Sequence, residues 1–65
     1  MITVNGKTMQ FEEGKSLRLL MKQLGISDEL CAIEINQELV PHSERETYAI
    51  SSGDEIEIVT LVGGG

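Results

Sequence analysis

One amphipathic helix is the feature that most constrains the fold of this chain. Its apolar positions follow i, i+3, i+4 and i+7 spacing, at Leu17, Leu20, Met21 and Leu24. Ser16 can cap the first turn, and Gly25 suits the left-handed residue that ends a helix. Because this short helix has only one apolar stripe, it must lie across one face of a sheet.

The residues before the helix predict a β-hairpin. Ile2 and Val4 alternate with polar neighbours, and Asn5-Gly6 supplies the two positive-φ residues of a tight turn. Met9 and Phe11 continue the alternation on the returning strand. A two-residue loop places Ile2 opposite Met9, so both should face the same core.

Two further strands and a short turn are predicted after the helix. The alternating apolar residues of Cys31–Ile35 indicate a third strand. A turn near Asn36-Gln37 joins it to a short strand at Leu39-Val40. Ser43 and Glu46 have the spacing of a capping box, which predicts a single helical turn.

The last predicted strand runs from Glu55 to Val62, after a turn at Ser52-Gly53-Asp54. Its period-two alternation separates two faces, and Ile56 and Ile58 have the parity of the core. The residues on the opposite face are Glu55, Glu57, Val59 and Leu61. The two apolar side chains there predict a surface that binds a partner, and the two glutamates should steer a basic partner towards it.

The order of these elements predicts the fold class. A β-β-α-β-β-β order places a hairpin on each side of the helix. If the last strand returns beside the first, the chain is an α+β protein with the β-grasp arrangement of ubiquitin, in which a mixed sheet packs on one main helix. We expect one domain over residues 1–62 and a flexible glycine tail over residues 63–65.

Charge and composition narrow the range of partners. The 65 residues carry a net charge of −6, which should repel nucleic-acid backbones and anionic membrane surfaces. No apolar stretch approaches the roughly 20 residues of a membrane span, and the first residues lack the apolar core of a signal peptide. The lone Cys31 cannot form an internal disulfide, which fits a reducing compartment. We expect a cytoplasmic protein that is monomeric when free.

No group of side chains predicts catalysis by the chain itself. Cys31 has the parity of a core residue, so we expect a small buried thiol, away from positive charge, and not a nucleophile paired with His42. One histidine and one cysteine, without C-x-x-C or H-x-x-x-H spacing, do not predict a metal site. We therefore expect neither an enzyme nor a bound cofactor.

The reactive group is predicted at the end of the sequence, Gly63-Gly64-Gly65. Residues without a Cβ can pass through a narrow channel in any backbone conformation, and three extended residues reach roughly 10 Å. We expect Gly63 and Gly64 to thread into the active site of another protein. The group delivered there would be the α-carboxylate of Gly65.

Three segments of the chain, INQELVP at 35–41, SGDEI at 52–56 and VGGG at 62–65, resemble the ThiS family of sulfur carriers in thiamine thiazole biosynthesis. The resemblance covers essentially the whole chain. It implies that an E1-like enzyme adenylates Gly65 with ATP. Sulfur from a donor such as a cysteine desulfurase would then give a thiocarboxylate, which the resemblance implies is used by a thiazole synthase.

The sequence leaves other functions open. Carriers for molybdopterin synthesis and for tRNA thiolation resemble this chain in fold and also end in Gly-Gly. A ubiquitin-like modifier would instead be joined through Gly65 to lysine side chains, and a non-covalent interaction domain would not use the tail. The products distinguish these classes: a sulfur-for-oxygen exchange on the free chain, isopeptide adducts on other proteins, or neither.

Overall fold

The computed structural model describes residues 1–60, the side chain of Asp28 excepted. Within that part of the chain, the strands and the α-helix follow the predicted order. They are β1 (Ile2–Val4), β2 (Lys7–Met9), α1 (Leu17–Leu24), β3 (Cys31–Ile35), β4 (Glu38–Leu39) and β5 (Glu55–Thr60). Short 3-10 turns at Asp28–Leu30 and His42–Glu44 precede β3 and follow β4. The division into a domain over 1–62 and a tail over 63–65 stays a prediction.

The first hairpin has the predicted turn and register. Asn5 and Gly6 have φ values of 50° and 84°, and Ile2 pairs with Met9. The second strand, however, ends at Met9 and does not continue to Phe11 as the alternation predicted. The ladder stops there because β1 begins at Ile2 and offers no further partner. Phe11 is still half-buried and packs against the core.

Both ends of α1 are built as the sequence predicts. The Oγ of Ser16 accepts a hydrogen bond from the Leu19 N–H at 3.1 Å, which caps the first turn. Gly25 ends the helix with φ of 71°, and its N–H donates to the Lys22 carbonyl at 3.2 Å. The buried side chains of the helix are Leu17, Leu20 and Met21. Leu24, the fourth residue of the predicted stripe, lies at its edge and is 37% exposed. None of the helices within residues 1–60 is long and apolar enough to cross a membrane.

The five strands of residues 1–60 form one mixed sheet in the order β2-β1-β5-β3-β4. β5 runs parallel to β1, with Val4 beside Ile56, and antiparallel to β3, with Ile33 opposite Ile58. The last strand in sequence therefore lies at the centre of the sheet, between the two hairpins. One main helix packed on one face of such a sheet is the α+β, β-grasp arrangement, which confirms the predicted fold class.

The helix and the sheet share one apolar core. Its buried residues are Ile2, Leu17, Leu20, Met21, Cys31, Ile33, Ile35, Val40, Ile50, Ile56 and Ile58. Val40 follows β4, although the sequence predicted that strand at Leu39-Val40. The tight turn at Asn36 and Gln37, both with positive φ, lets pairing begin at Glu38, one residue earlier than predicted.

The turn after β4 differs from the predicted capping box. Pro41 is its N-cap, and the Glu44 N–H donates to the Pro41 carbonyl at 3.0 Å. The turn therefore begins before Ser43, which lies inside it. Pro41 has no side chain that could cap the turn, so the predicted Ser43–Glu46 capping box is wrong.

Candidate functional site

β5 carries most of the residues that the sequence assigned to a partner surface. Ile56 and Ile58 are buried, whereas Glu55, Glu57 and Val59 are exposed, Val59 by 57%. The side chains thus alternate between core and solvent as the period-two pattern predicts. Their role in binding a partner stays a prediction.

The remaining residues of the predicted site lie outside the described part of the chain. They are Leu61 of the partner surface, Gly63 and Gly64 for threading, and Gly65 as the reactive terminus. Their predicted roles stay predictions. The structure does describe the strand from which they continue, and that strand is the central one of the sheet.

The pairing of β5 with β3, and of β3 with β4, adds residues of these two strands to the exposed surface. Glu34 of β3 lies opposite Glu57, and Leu39 of β4 lies opposite Glu34. Leu39 is 65% exposed, so a second large apolar side chain shares this side of the sheet with Val59. We call the surface formed by Glu34, Leu39, Glu55, Glu57 and Val59 the outer face. Glu34 and Leu39 could not be assigned to this surface from the sequence, because alternation gives the side of a strand on which a residue lies but not the neighbouring strand.

The outer face has three carboxylates, those of Glu34, Glu55 and Glu57. Glu34 and Glu57 lie directly opposite each other on antiparallel strands, and like charges in that position destabilise a sheet. A salt bridge in residues 1–60 joins Lys15 to Glu12 at 4.0 Å, and it involves none of these three carboxylates. A basic side chain supplied by a partner would offset this repulsion.

Two asparagines hold β5 from opposite sides. In the β1–β2 turn, Asn5 Oδ1 accepts from the Ile58 N–H at 2.7 Å, and Asn5 Nδ2 donates to the Ile58 carbonyl at 3.2 Å. In the β3–β4 turn, Asn36 Oδ1 accepts from the Glu55 N–H at 3.0 Å, and Asn36 Nδ2 donates to Asp54 Oδ1 at 3.0 Å. Asn36 therefore holds the start of the strand, and Asn5 holds it near its end.

Cys31 is fully buried, as predicted, but it does not lie away from positive charge. The guanidinium of Arg45, which is 1% exposed, donates from Nη1 to Cys31 Sγ at 3.6 Å and from Nη2 to the Cys31 carbonyl at 2.9 Å. The prediction of an uncharged environment is wrong because the loop after β4 turns Arg45 inward. The Arg18 N–H of α1 then donates to the Arg45 carbonyl at 3.1 Å.

The environment of Cys31 is that of a structural residue. Its thiol has no exposed surface, and its described hydrogen bond comes from Arg45, whereas His42 is exposed. Within residues 1–60, His, Cys, Asp and Glu side chains form no group of three that could hold a metal ion.

The fold and this site define a ubiquitin-like β-grasp protein in which glycines follow the central strand in the sequence. A ThiS family model matches residues 2–65, and the chain belongs to that family.

Similar proteins are consistent with membership of this family. The sulfur carrier protein ThiS of Escherichia coli K12 is 30% identical over 64 residues, which cover 98% of this chain and 97% of that protein. A thiazole synthase of Paramagnetospirillum magneticum is 34% identical over 64 residues, which cover 98% of this chain but 20% of that protein. A crystal structure of the thiamine biosynthesis protein ThiS from Geobacter metallireducens matches with a TM-score of 0.79 and 28% identity. That match covers 98% of this chain and 97% of the other.

Proposed function

We propose that this chain is a sulfur carrier for thiamine thiazole synthesis, which accepts and donates sulfur at the Gly65 carboxylate and is not itself an enzyme. Membership of the ThiS family is the observation that carries this proposal. The β-grasp body and the glycines that follow it in the sequence support it. Residues without side chains can bring a carboxylate into a narrow active site while the folded body stays outside.

The chemistry requires activation of the carboxylate, because its oxygen is a poor leaving group. In the proposed first step, a Gly65 carboxylate oxygen attacks the α-phosphorus of ATP on an E1-like enzyme, and pyrophosphate leaves. The terminal sulfur of a persulfide, such as that of a cysteine desulfurase, then displaces AMP and gives an acyl disulfide. A thiol then attacks the donor-side sulfur, forms a new disulfide with the donor, and releases the Gly65 thiocarboxylate as the S–S bond of the acyl disulfide breaks.

The outer face is the proposed docking surface for the activating enzyme. Val59 and Leu39 supply exposed apolar area, and a partner that covers them gains the free energy of their burial. The carboxylates of Glu34, Glu55 and Glu57 would draw a basic partner surface to the same place and raise the association rate. Leu61 belongs to this proposed surface by sequence alternation. Docking energy gained there positions the carboxylate for a reaction that involves few atoms.

A thiazole synthase is the proposed acceptor of the sulfur. The thiazole synthase of Paramagnetospirillum magneticum contains a segment similar to this chain, within a protein of which this chain matches 20%. The presence of a carrier-like segment in a protein of that name supports a functional link between the two. Gly63 and Gly64 would thread into the synthase as they do into the activating enzyme.

The proposal places the carrier in the cytoplasm, with residues 1–62 as the docking body and 63–65 as the delivered tail. The lone, buried Cys31 suits a reducing compartment, because the chain has no disulfide to maintain. ATP would be bound by the activating enzyme and not by the carrier. The net charge of −6 favours a free monomer that associates with basic partners.

Mass spectrometry tests the proposal. The chain is incubated with ATP, an E1-like adenylating enzyme and a persulfide donor, and the intact mass is followed by C-terminal fragmentation. We expect a sulfur-for-oxygen exchange on Gly65. A chain lacking Gly65 should keep its circular dichroism spectrum and lose pyrophosphate exchange. Normal exchange by this truncated chain would overturn the carrier function.

A Cys31→Val chain is the matched control for the site of sulfur. It keeps an apolar side chain in the core while it removes the thiol, so it should still gain sulfur on Gly65. Loss of transfer in a folded Cys31→Val chain would instead indicate a persulfide on the side chain. Isopeptide adducts on other proteins would indicate a modifier.

A further inference from the structure

We propose that Asn5 is a positioning residue for sulfur transfer, whose side chain holds β5 at Ile58 and so steadies the part of the strand from which the chain continues to the reactive carboxylate. This inference rests on the proposed function. It adds to that function a residue from the first turn of the chain, far in sequence from the reactive end.

The side chain of Asn5 bonds backbone groups of β5 that lie beyond the end of β1. The backbone of β1 pairs with β5 at Thr3–Glu55 and Val4–Ile56, and the Asn5 N–H donates to the Ile56 carbonyl at 2.9 Å. At Asn5 the backbone turns away into the hairpin, with φ of 50°. The carboxamide then bonds both the N–H and the carbonyl of Ile58. In a continued parallel ladder these two groups would bond the backbone carbonyl of Asn5 and the backbone N–H of the residue two positions further along β1. The side chain therefore continues the parallel ladder for one more step.

The position of this contact connects it to the tail. On the β3 side, β5 stays paired as far as Thr60, which lies opposite Cys31. On the β1 side, the Asn5 contacts at Ile58 are the last that the structure gives within residues 1–60. Without them, the end of β5 would be held from one side only. A loosened β5 at Ile58 would give the following residues, which end in Gly65, a less fixed starting point.

The reaction is sensitive to such a change. The Gly65 carboxylate must reach ATP in an orientation that allows attack, and a misplacement of about 1 Å can cost on the order of 100-fold in rate. Docking depends on the side chains of the outer face. Loss of the Asn5 contacts should therefore change the docking affinity less than it changes the placement of the carboxylate. A loosened strand end should therefore lower kcat more than it raises KM for the carrier.

Asparagine suits this position for two reasons. Its planar amide has one acceptor and one donor side by side, which both Ile58 groups require. It also tolerates positive φ better than most residues. Asn5→Gly removes both hydrogen bonds without backbone strain, because glycine adopts positive φ readily. Asn5→Asp keeps the acceptor for the Ile58 N–H but sets an oxygen against the Ile58 carbonyl.

Asn36 provides a matched control. It also lies in a hairpin turn with positive φ, at 53°, and its side chain also makes two hydrogen bonds, one of them with the β5 backbone. Its contact is at Glu55, at the start of the strand. Asn36→Gly should therefore cost similar stability without releasing the end of β5.

The experiment measures ATP–pyrophosphate exchange with an E1-like adenylating enzyme over a range of carrier concentrations, at a temperature where every variant is folded by circular dichroism. We expect Asn5→Gly to lower kcat about tenfold and to leave KM within about twofold. Asn5→Asp should fall between Asn5→Gly and the unmodified chain. Asn36→Gly should leave both constants within about twofold of the unmodified chain.

Amide hydrogen exchange gives a readout that does not depend on the enzyme. The Ile58 amide should exchange faster in Asn5→Gly and the Glu55 amide in Asn36→Gly. Unchanged Ile58 exchange, or equal kinetic constants for Asn5→Gly and Asn36→Gly, would overturn the positioning role of Asn5 but not the proposed carrier function. Should Asn5→Gly fail to fold, a kcat of Asn5→Asp equal to that of the unmodified chain would do the same. If the unmodified chain supports no exchange at all, the proposed function fails, and the role of Asn5 fails with it.

Discussion

Aspartate substitutions at two adjacent positions of β5 should differ greatly in their effect on the free energy of unfolding. Ile58 is 7% exposed and faces the core, whereas Val59 is 57% exposed on the outer face. Truncating a buried isoleucine costs about 2–5 kcal/mol, and an unpaired buried carboxylate costs several kcal/mol more. A 65-residue domain has a total stability of about 3–10 kcal/mol at the usual 0.05–0.15 kcal/mol per residue. Ile58→Asp should therefore leave little or no folded protein at neutral pH.

Val59→Asp introduces the same charge where water can solvate it. We expect its free energy of unfolding to stay within about 0.5 kcal/mol of the unmodified chain. Urea titrations followed by far-ultraviolet circular dichroism measure the free energy of unfolding of both variants, with the unmodified chain as the control. Equal loss of stability in the two variants would refute the assignment of faces on β5.

Binding distinguishes the outer face from an ordinary exposed surface. If Val59 is covered on docking, a carboxylate there should weaken the affinity for the activating enzyme by about tenfold or more, as at a central interface position. Isothermal titration calorimetry with the folded Val59→Asp chain gives this value. An affinity equal to that of the unmodified chain would place the docking surface elsewhere.

Two further predictions concern charge. Burial, together with the carboxylates of Asp54 and Glu38, raises the pKa of Tyr48 above its ordinary value of 10.0. The unfolded chain then loses this proton first, so stability should be full below pH 10 and fall as the pH rises through the folded-state pKa. Urea midpoints and tyrosinate absorbance, which reports the one tyrosine of the chain, test this, and pH-independent midpoints would contradict it. Glu34→Gln removes the charge opposite Glu57, so it should raise the urea midpoint slightly and slow association with the activating enzyme at low salt. An unchanged association rate would contradict the steering role.

Local signals in the sequence predicted most of the elements correctly. The Asn5-Gly6 turn determined the register of the first hairpin, because a two-residue loop leaves no freedom in the pairing of Ile2 with Met9. Ser16 and Gly25 marked the ends of α1, since each satisfies backbone groups that a helix leaves unpaired. These features depend on residues that are close in sequence, so they can be predicted from a single chain.

The features that could not be predicted from the sequence depend on contacts between distant segments. The burial of Arg45 against Cys31 requires the loop after β4 to bring Arg45 back to the start of β3, and nothing near Arg45 in sequence indicates its partner. The opposition of Glu34 and Glu57 follows from the register of β3 against β5, which no short turn determines. The candidate site was therefore predicted on one strand, and its extension to Glu34 and Leu39 required the structure.

The arrangement of β5 follows from what a carrier has to do. A strand at the edge of a sheet could bend or slip, whereas β5 is paired on both sides and is also held by two asparagine side chains. Its core face supplies stability through Ile56 and Ile58. Its outer face then does not need to contribute to folding, which lets like charges stay opposed there at a cost to the sheet. A basic partner would relieve that repulsion only when docked, so the same carboxylates that weaken the free carrier would favour its complex.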